Sequence, residues 1–399
     1  MVKIAENQII YFTQTSEFGG CEKHLIQLIQ TIGISNAQTT VIISLPKSIS
    51  QQNKSIIVDN FEKLINSGDV SHIHTIESDS LLEIDAIKQI ITFFSKENSI
   101  IHFYRNSLDS CLIPILISFF LRKKSIQTLQ NRLIIEDTLP SIRSKILYPI
   151  SLKISKKIIA VSESIKSQCI DLYGIPSEKI AVIRNGIKID EFTDISKNKR
   201  DKIYDISKEL KIDLNTQTIF LCLARLDHQK GHTYLIKALS ILKNKYPNII
   251  NQIIVLLAGE GGLRESIQDE VKTNQLESVV KILGFRSDVD DLLLLCDAMI
   301  LTSLFEGLPL SIVEAMSFGK PVLATAVDGV PEIIVDSQTG ILMESQNPSS
   351  IADSIVKFIK LPIENRTSMG VEGKKRVCSE FNLALNSDII KVIYQTIMN

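Results

Sequence analysis

Two glutamates and two cations carry the chemistry that this sequence offers. Glu306 and Glu314, with seven residues between them, lie in S-L-F-E-G-L-P-L-S-I-V-E-A-M-S-F-G-K-P, residues 303 to 321. A helix N-terminus favours phosphate, whereas a carboxylate beside it suits neutral hydroxyls, as on a sugar or ribose, better than a second anion. Arg225 and Lys230 bracket the loop A-R-L-D-H-Q-K-G. Two cations converging on one loop suit a diphosphate, which needs neutralisation both as bound ligand and as leaving group. Gly259 and Gly261 in A-G-E-G-G-L-R allow close backbone approach to a nucleotide, and Gly284-Phe285 opens a loop able to border a base. Gly20 closes the turn T-Q-T-S-E-F-G-G, where paired glycines permit the same approach. His102 stands near the end of the apolar run 99–104, as a ligand contact or as a hydrogen-bonded core residue.

Each of these groups follows a short apolar run and precedes a segment of helical periodicity. Ala298 to Leu301 predicts a buried strand, Gly307 and Pro309 a tight loop, and Leu310 to Phe318 a helix stopped at Gly319. Ser311, Glu314 and Ser317 share its polar face, leaving Leu310, Val313 and Met316 to pack on a sheet. Further second-half strands are expected at 218–224, 253–257, 279–283 and 321–324, with helices near 232–246, 263–275 and 288–296. In the first half strands are expected at 9–12, 41–45, 99–104, 157–161 and 179–183, helices at 21–31 and 81–95, and a loop at 46–55. Apolar strands with little alternation, separated by helices, imply parallel sheets covered on both faces. Ligands then bind beyond the carboxyl ends of the strands.

At 399 residues the chain is too long for one ordinary core, so two domains are expected, joined by the polar stretch 191–215. A net charge of -1 gives no general case for nucleic acid as a partner. The six cysteines are scattered without a C-x-x-C pair, which argues against a zinc site or disulfide framework and fits a reducing cytoplasm. The first residues lack a signal-peptide apolar region, and the longest apolar run, Cys111 to Leu121, is too short to span a bilayer. Residues 122–157 are lopsidedly basic and follow that run, so an anionic membrane surface is weighed as a partner against a merely solvated face. Asp288-Val289-Asp290 spells a D-x-D of the kind that holds a divalent metal in some sugar-transferring enzymes. Here it opens an amphipathic helix, where acids complement the dipole, so no metal and no cofactor is expected.

Taken together the motifs resemble the retaining glycosyltransferases of family 4. The resemblance rests on G-G-C-E-K (19–23), A-V-S-E-S (160–164), R-N-G-I (184–187), the Arg225–Lys230 loop, G-E-G (259–261), L-G-F (283–285), E-G-L-P-L-S-I-V-E-A-M (306–316) and D-G-V-P-E (328–332). It implies an α/β GT-B fold of two Rossmann-like domains facing across a deep cleft. Residues 1–190 would form the acceptor-side domain and 216–377 the nucleotide-sugar-binding domain, with 378–399 a C-terminal helix returning to the first. By the same resemblance Glu306 touches hydroxyls of the transferred sugar, Glu314 the donor ribose, and Arg225 and Lys230 the diphosphate. Backbone amides of Gly307, Leu308 and Leu310 lie near the transferred sugar, and Gly20 borders the donor phosphate. His102 is a catalytic candidate, although many relatives read H-x-H where this chain has His102-Phe103-Tyr104. Many also carry G-G where this chain has Asp328-Gly329. The implied reaction moves a sugar, with retention and without metal, from a UDP- or GDP-sugar to a glycan or lipid-linked acceptor. Cell-envelope polysaccharide or lipopolysaccharide assembly is the implied setting, on or near the cytoplasmic membrane. A nucleotide-sugar epimerase on the same fold, or a non-catalytic nucleotide-sugar-binding subunit, is the alternative.

Overall fold

The computed structural model describes residues 8–33, 39–96, 99–133, 143–189 and 197–398. The chain divides into two compact units, one of residues 1–188 with 382–399 and one of residues 189–381. Each is a wholly parallel sheet with helices between successive strands, a Rossmann-like arrangement.

In the first unit seven strands run in the order β3-β2-β1-β4-β5-β6-β7. They are β1 (Gln8–Gln14), β2 (Thr39–Leu45), β3 (His72–Glu77), β4 (Ser99–Arg105), β5 (Lys124–Leu129), β6 (Lys157–Ala160) and β7 (Ile180–Val182). The central strands are buried on both faces: Ile9, Phe12, Val41, Ile42, Ile101 and Phe103 are fully enclosed. Such strands read as unbroken apolar runs because helices cover both sides of a parallel sheet. The second unit has six strands in the order β10-β9-β8-β11-β12-β13. They are β8 (Thr218–Leu223), β9 (Ile253–Ala258), β10 (Val280–Gly284), β11 (Ala298–Leu301), β12 (Val322–Thr325) and β13 (Gly340–Met343).

The expected apolar strands lie where the sequence reading puts them, within a residue or two at their ends. Strands β3, β5 and β13 were not anticipated, and the segment read as a loop at 46–55 runs into a helix, Gln51–Asn66, capped by Ser50. Part of the expected linker, residues 191–196, lies outside the described residues. The remainder differs from a linker, because Lys197–Glu209 is a helix of the second unit. Ile206 is buried, and the helix is tied to its neighbour by Lys202–Asp291 at 3.7 Å and Glu209–Arg286 at 3.5 Å. Its charged composition marks a solvated helix face.

The helix Leu383–Met398 belongs to the first unit, whereas Ile363–Glu380 and Phe381 stay with the second. Leu383 N–H donates to the Ile187 carbonyl at 3.0 Å, and Asn386 donates to the Arg184 carbonyl at 2.6 Å. Tyr394 is fully buried in the first core beside Tyr11 and His102.

Candidate active site

Strands β8 and β11 are neighbours at the centre of the second sheet, and the chain runs outward from them in opposite directions, through β9 and β10 and through β12 and β13. The loops leaving their carboxyl ends therefore part at a topological switch point, where open α/β sheets bind ligands. One loop carries Arg225 and Lys230, the other Glu306.

The two loops are sewn together before any side chain reaches outward. Gly231 has φ +62°, and a Cβ there would stand 2.2 Å from the Thr302 carbonyl oxygen, so only glycine lets the β8 loop pass so close to the end of β11. Thr302 Oγ1 donates to the carbonyls of Lys230 and Gly231, at 3.2 Å each. Leu304 N–H donates to the Gln229 carbonyl at 2.7 Å, and Gln229 Nε2 returns a bond to the Phe305 carbonyl at 3.0 Å.

Within that frame Lys230 Nζ donates to Glu306 Oε1 at 2.6 Å, with the two side chains only 15% and 5% exposed. Ser303 Oγ donates to the same oxygen at 2.6 Å, and Gln229 Nε2 lies 3.4 Å from Oε2. Glu306 N–H donates to Asp328 Oδ2 at 2.9 Å. A buried carboxylate so surrounded is fixed in place, and the low local dielectric strengthens each bond. Gly307, Leu308 and Pro309 are buried behind it, and helix Leu310–Ser317 begins at the next residue. Pro309 thus precedes the helix by one position. At the far end Gly319 adopts φ +70° as expected of a cap, with Lys320 N–H donating to the Ala315 carbonyl. Ser317 is buried and bonds the Glu314 carbonyl, so it does not share an outer face with the half-buried Glu314.

Arg225 is half exposed and pairs with Asp227 at 3.0 Å. The sequence places it and Lys230 in one loop; the structure turns Lys230 inward to Glu306 and leaves Arg225 at the surface. Gly259 and Gly261 serve a packing need in this arrangement. Cβ atoms on them would lie 2.0 Å from the Ala224 carbonyl and 2.3 Å from the Leu226 carbonyl, so their close approach is to the β8 loop. Phe285 is exposed just after β10. Asp288 is held by Arg286 through two bonds, at 2.8 and 2.5 Å, and this partner keeps its carboxyl below the usual range. Asp288 stands just before helix Val289–Leu295, and Asp290 lies in its first turn.

The first unit has the matching switch point between β1 and β4. Gly20 opens helix Gly20–Ile32, and Glu22 Oε2 accepts the Gly19 N–H at 3.0 Å, closing the paired-glycine turn. Asn106, just past β4, donates to the other Glu22 oxygen at 3.3 Å. Burial pushes the Glu22 carboxyl upward. His102, the catalytic candidate of the first unit, is placed in the core. It is fully enclosed, with Nδ1 at 2.6 Å from the Tyr394 hydroxyl and Nε2 at 2.7 Å from Thr128 Oγ1, so both ring nitrogens are occupied. Burial drives its pKa down to about 3, which keeps it neutral.

Ser303, Gln229 and Asp328 were not singled out as site residues from sequence. The first two sit inside the motifs already recognised and are polar residues in otherwise apolar or charged surroundings. Asp328 carried one signal, an aspartate where a paired glycine was expected.

Two family models match most of the chain between them: Glycosyltransferase Family 4 over residues 18–191, and Glycosyl transferases group 1 over residues 205–376. A galactosyltransferase of Escherichia coli, named for transfer from UDP-Gal to alpha-D-GlcNAc-diphosphoundecaprenol, is 28% identical over 245 residues, 61% of this chain and 60% of its own length. A Campylobacter jejuni N-acetylgalactosaminyltransferase, named for an N,N'-diacetylbacillosaminyl-diphospho-undecaprenol acceptor, is 29% identical over 52% of each chain. The chain thus spans about half to three-fifths of the length of these relatives. Among solved structures, Anabaena HepE with UDP-glucose superposes with a TM-score of 0.77 at 19% identity, covering 98% of this chain and 99% of that one. With the switch-point geometry above, the matches assign the chain to the glycosyltransferases of family 4 and group 1, on the GT-B fold.

Proposed function

We propose that this chain is a retaining, metal-independent glycosyltransferase that moves a sugar from a UDP- or GDP-sugar to a glycan or lipid-linked acceptor in cell-envelope polysaccharide assembly. The observation that carries the reading is the Lys230–Glu306 pair at the second switch point, with Arg225 on the same loop. Glu306 hydrogen-bonds hydroxyls of the transferred sugar and Glu314 those of the ribose. Arg225 and Lys230 neutralise the diphosphate as it departs, in the place a metal would otherwise take. The leaving diphosphate assists deprotonation of the acceptor hydroxyl on the same face, which preserves anomeric configuration. The undecaprenol-linked acceptors in the names of two relatives support a lipid-linked acceptor here, and the six free cysteines suit a cytoplasmic site.

The test is a calorimetric panel of UDP, GDP and their sugars, followed by product analysis with and without acceptor. A true donor at a hundred times its dissociation constant stabilises the fold by about 2.7 kcal/mol. Transfer that survives EDTA and requires an acceptor is expected. Rapid isomerisation without acceptor makes the protein an epimerase, and binding without turnover makes it a non-catalytic subunit. Activity lost to EDTA and restored by manganese overturns metal independence.

An anionic membrane surface is proposed as the second partner. Among the described residues no helix is long and apolar enough to cross a bilayer. Phe119 and Phe120 are exposed at the end of helix Leu112–Phe120, Phe120 by 79%, and Ile146 and Ile150 are exposed on the helical segment packed beside it. Arg122, Lys145 and Lys153 stand within three residues of these apolar side chains in sequence, which is the pairing that anionic headgroups attract, whereas Lys123 donates to the Lys96 carbonyl at 2.6 Å. Lys124 is spent elsewhere, on the carbonyls of Ile397 and Met398. Sedimentation with vesicles should rise with phosphatidylglycerol content, fall with salt, and weaken in Phe119→Ser/Phe120→Ser. Equal binding to neutral vesicles, or none, returns this face to a solvated basic surface.

A further inference from the structure

We propose that Asp328 is a positioning residue for sugar transfer: its carboxylate holds the backbone of the β11 loop, and through it keeps the Glu306 side chain aligned. The inference rests on the glycosyltransferase reading above and adds a residue that reading does not use.

After β12 the chain turns at Asp328-Gly329 into the short helix Val330–Ile333. Asp328 sits there at φ +42°, a left-handed conformation that costs an ordinary L residue and that aspartate and asparagine visit more readily than most. A residue kept in such a conformation is one that its surroundings over-determine. Asp328 Oδ2 accepts the Glu306 N–H at 2.9 Å. A second tie runs beside it, from Thr325 Oγ1 to the Ser303 carbonyl at 2.6 Å. The end of β12 and the turn after it therefore grip the β11 loop at both ends of Ser303–Glu306. Gln229 fixes the two residues between, through the Leu304 amide and the Phe305 carbonyl.

The consequence is preorganisation. The Glu306 carboxylate meets Lys230 and Ser303 at 2.6 Å only while its own backbone stays put, and Asp328 is the side chain that pins that backbone amide. Misplacement of a catalytic group by about 1 Å is enough to cost a hundredfold in rate, so loss of one of several anchors is expected to cost about tenfold.

Asp328→Gly separates the hold from the strain, since glycine adopts φ +42° freely yet offers no carboxylate. Its melting temperature should equal or exceed that of the parent. Its kcat for transfer should fall about tenfold, with nucleoside diphosphate affinity kept within about twofold. Asp328→Asn retains an acceptor oxygen and tolerates the conformation, so it should restore most of the kcat. Hydrogen exchange supplies a readout that needs no substrate: peptides covering 303–308 should exchange faster in Asp328→Gly and as in the parent in Asp328→Asn. Unchanged exchange in Asp328→Gly overturns the hold. A kcat equal to that of the parent, or a kcat loss matched by equal losses of nucleotide affinity or melting temperature, overturns the positioning role. A parent protein that binds no nucleotide-sugar overturns the proposed function instead, and the exchange result then decides the hold by itself.

Discussion

Glu306 is bonded by Lys230, Ser303 and Gln229 at its carboxylate and by Asp328 at its amide, so replacing it acts on the lysine as well as on any sugar. Breaking a buried pair from one side leaves a charge without its partner and costs about 3 kcal/mol, whereas removing both ends costs less. Lys230→Ala is therefore expected to lower unfolding free energy by about that amount, and Lys230→Ala/Glu306→Ala to recover part of it. Urea denaturation of the two single variants and the double variant measures the coupling; additive losses would mean the pair contributes nothing beyond its members. Arg225→Ala, at a half-exposed site, should leave stability nearly unchanged while weakening nucleoside diphosphate binding in calorimetry. The residue types of the candidate site were legible because motif spacing places Glu306, Lys230 and Arg225 after apolar strands. The inward turn of Lys230 was not legible, since it depends on Gly231 passing the Thr302 carbonyl, a contact between residues far apart in sequence. Asp328 reaches Glu306 across 22 positions, and no local pattern encodes that.

At the scale of elements, most strands with apolar runs were readable; the short apolar β13 and the more polar β3 and β5 were not. Strand β5 buries Ser125 and Gln127, which a local reading takes for a surface loop; Ser155 and Arg105 satisfy them from elsewhere in the fold. Strand β3 is a sheet edge, H-I-H-T-I-E, with only Ile76 fully buried. The final helix contributes an element-scale prediction. Tyr394→Phe removes the hydroxyl that meets His102 and Tyr11, leaving buried polar atoms unpaired at a cost of about 1–3 kcal/mol. Thermal unfolding should show that loss while turnover per folded molecule stays at the parent level. A selective fall in kcat would return His102 to the reaction.

For the whole molecule, acid is the sensitive direction. His24 and His102 are pulled down to about 3 and His232 to about 4, each by burial, so all three are neutral in the folded chain. The unfolded chain protonates them near their ordinary value of about 6.5, so it binds more protons at every pH between there and the folded values. Stability is then full above about pH 6.5 and declines as pH falls, by about 1.4 kcal/mol per unit for each histidine. Burial also raises the Glu22 and Asp297 carboxyls, which opposes this loss in part. Urea midpoints should still fall from pH 7.5 to 5.0, and a midpoint that rises would overturn the neutral-histidine reading. The split of the first unit between residues 1–188 and 382–399 has a consequence for how the protein is made. On the ribosome, the chain that forms the first sheet emerges early, yet the tyrosine that closes its core is translated after the entire second unit. At about 5–20 residues per second that interval is roughly 10 to 40 s. The first unit waits incomplete for that time while the second can already fold, and a message cut short before Tyr394 would leave the earlier-made half unfinished.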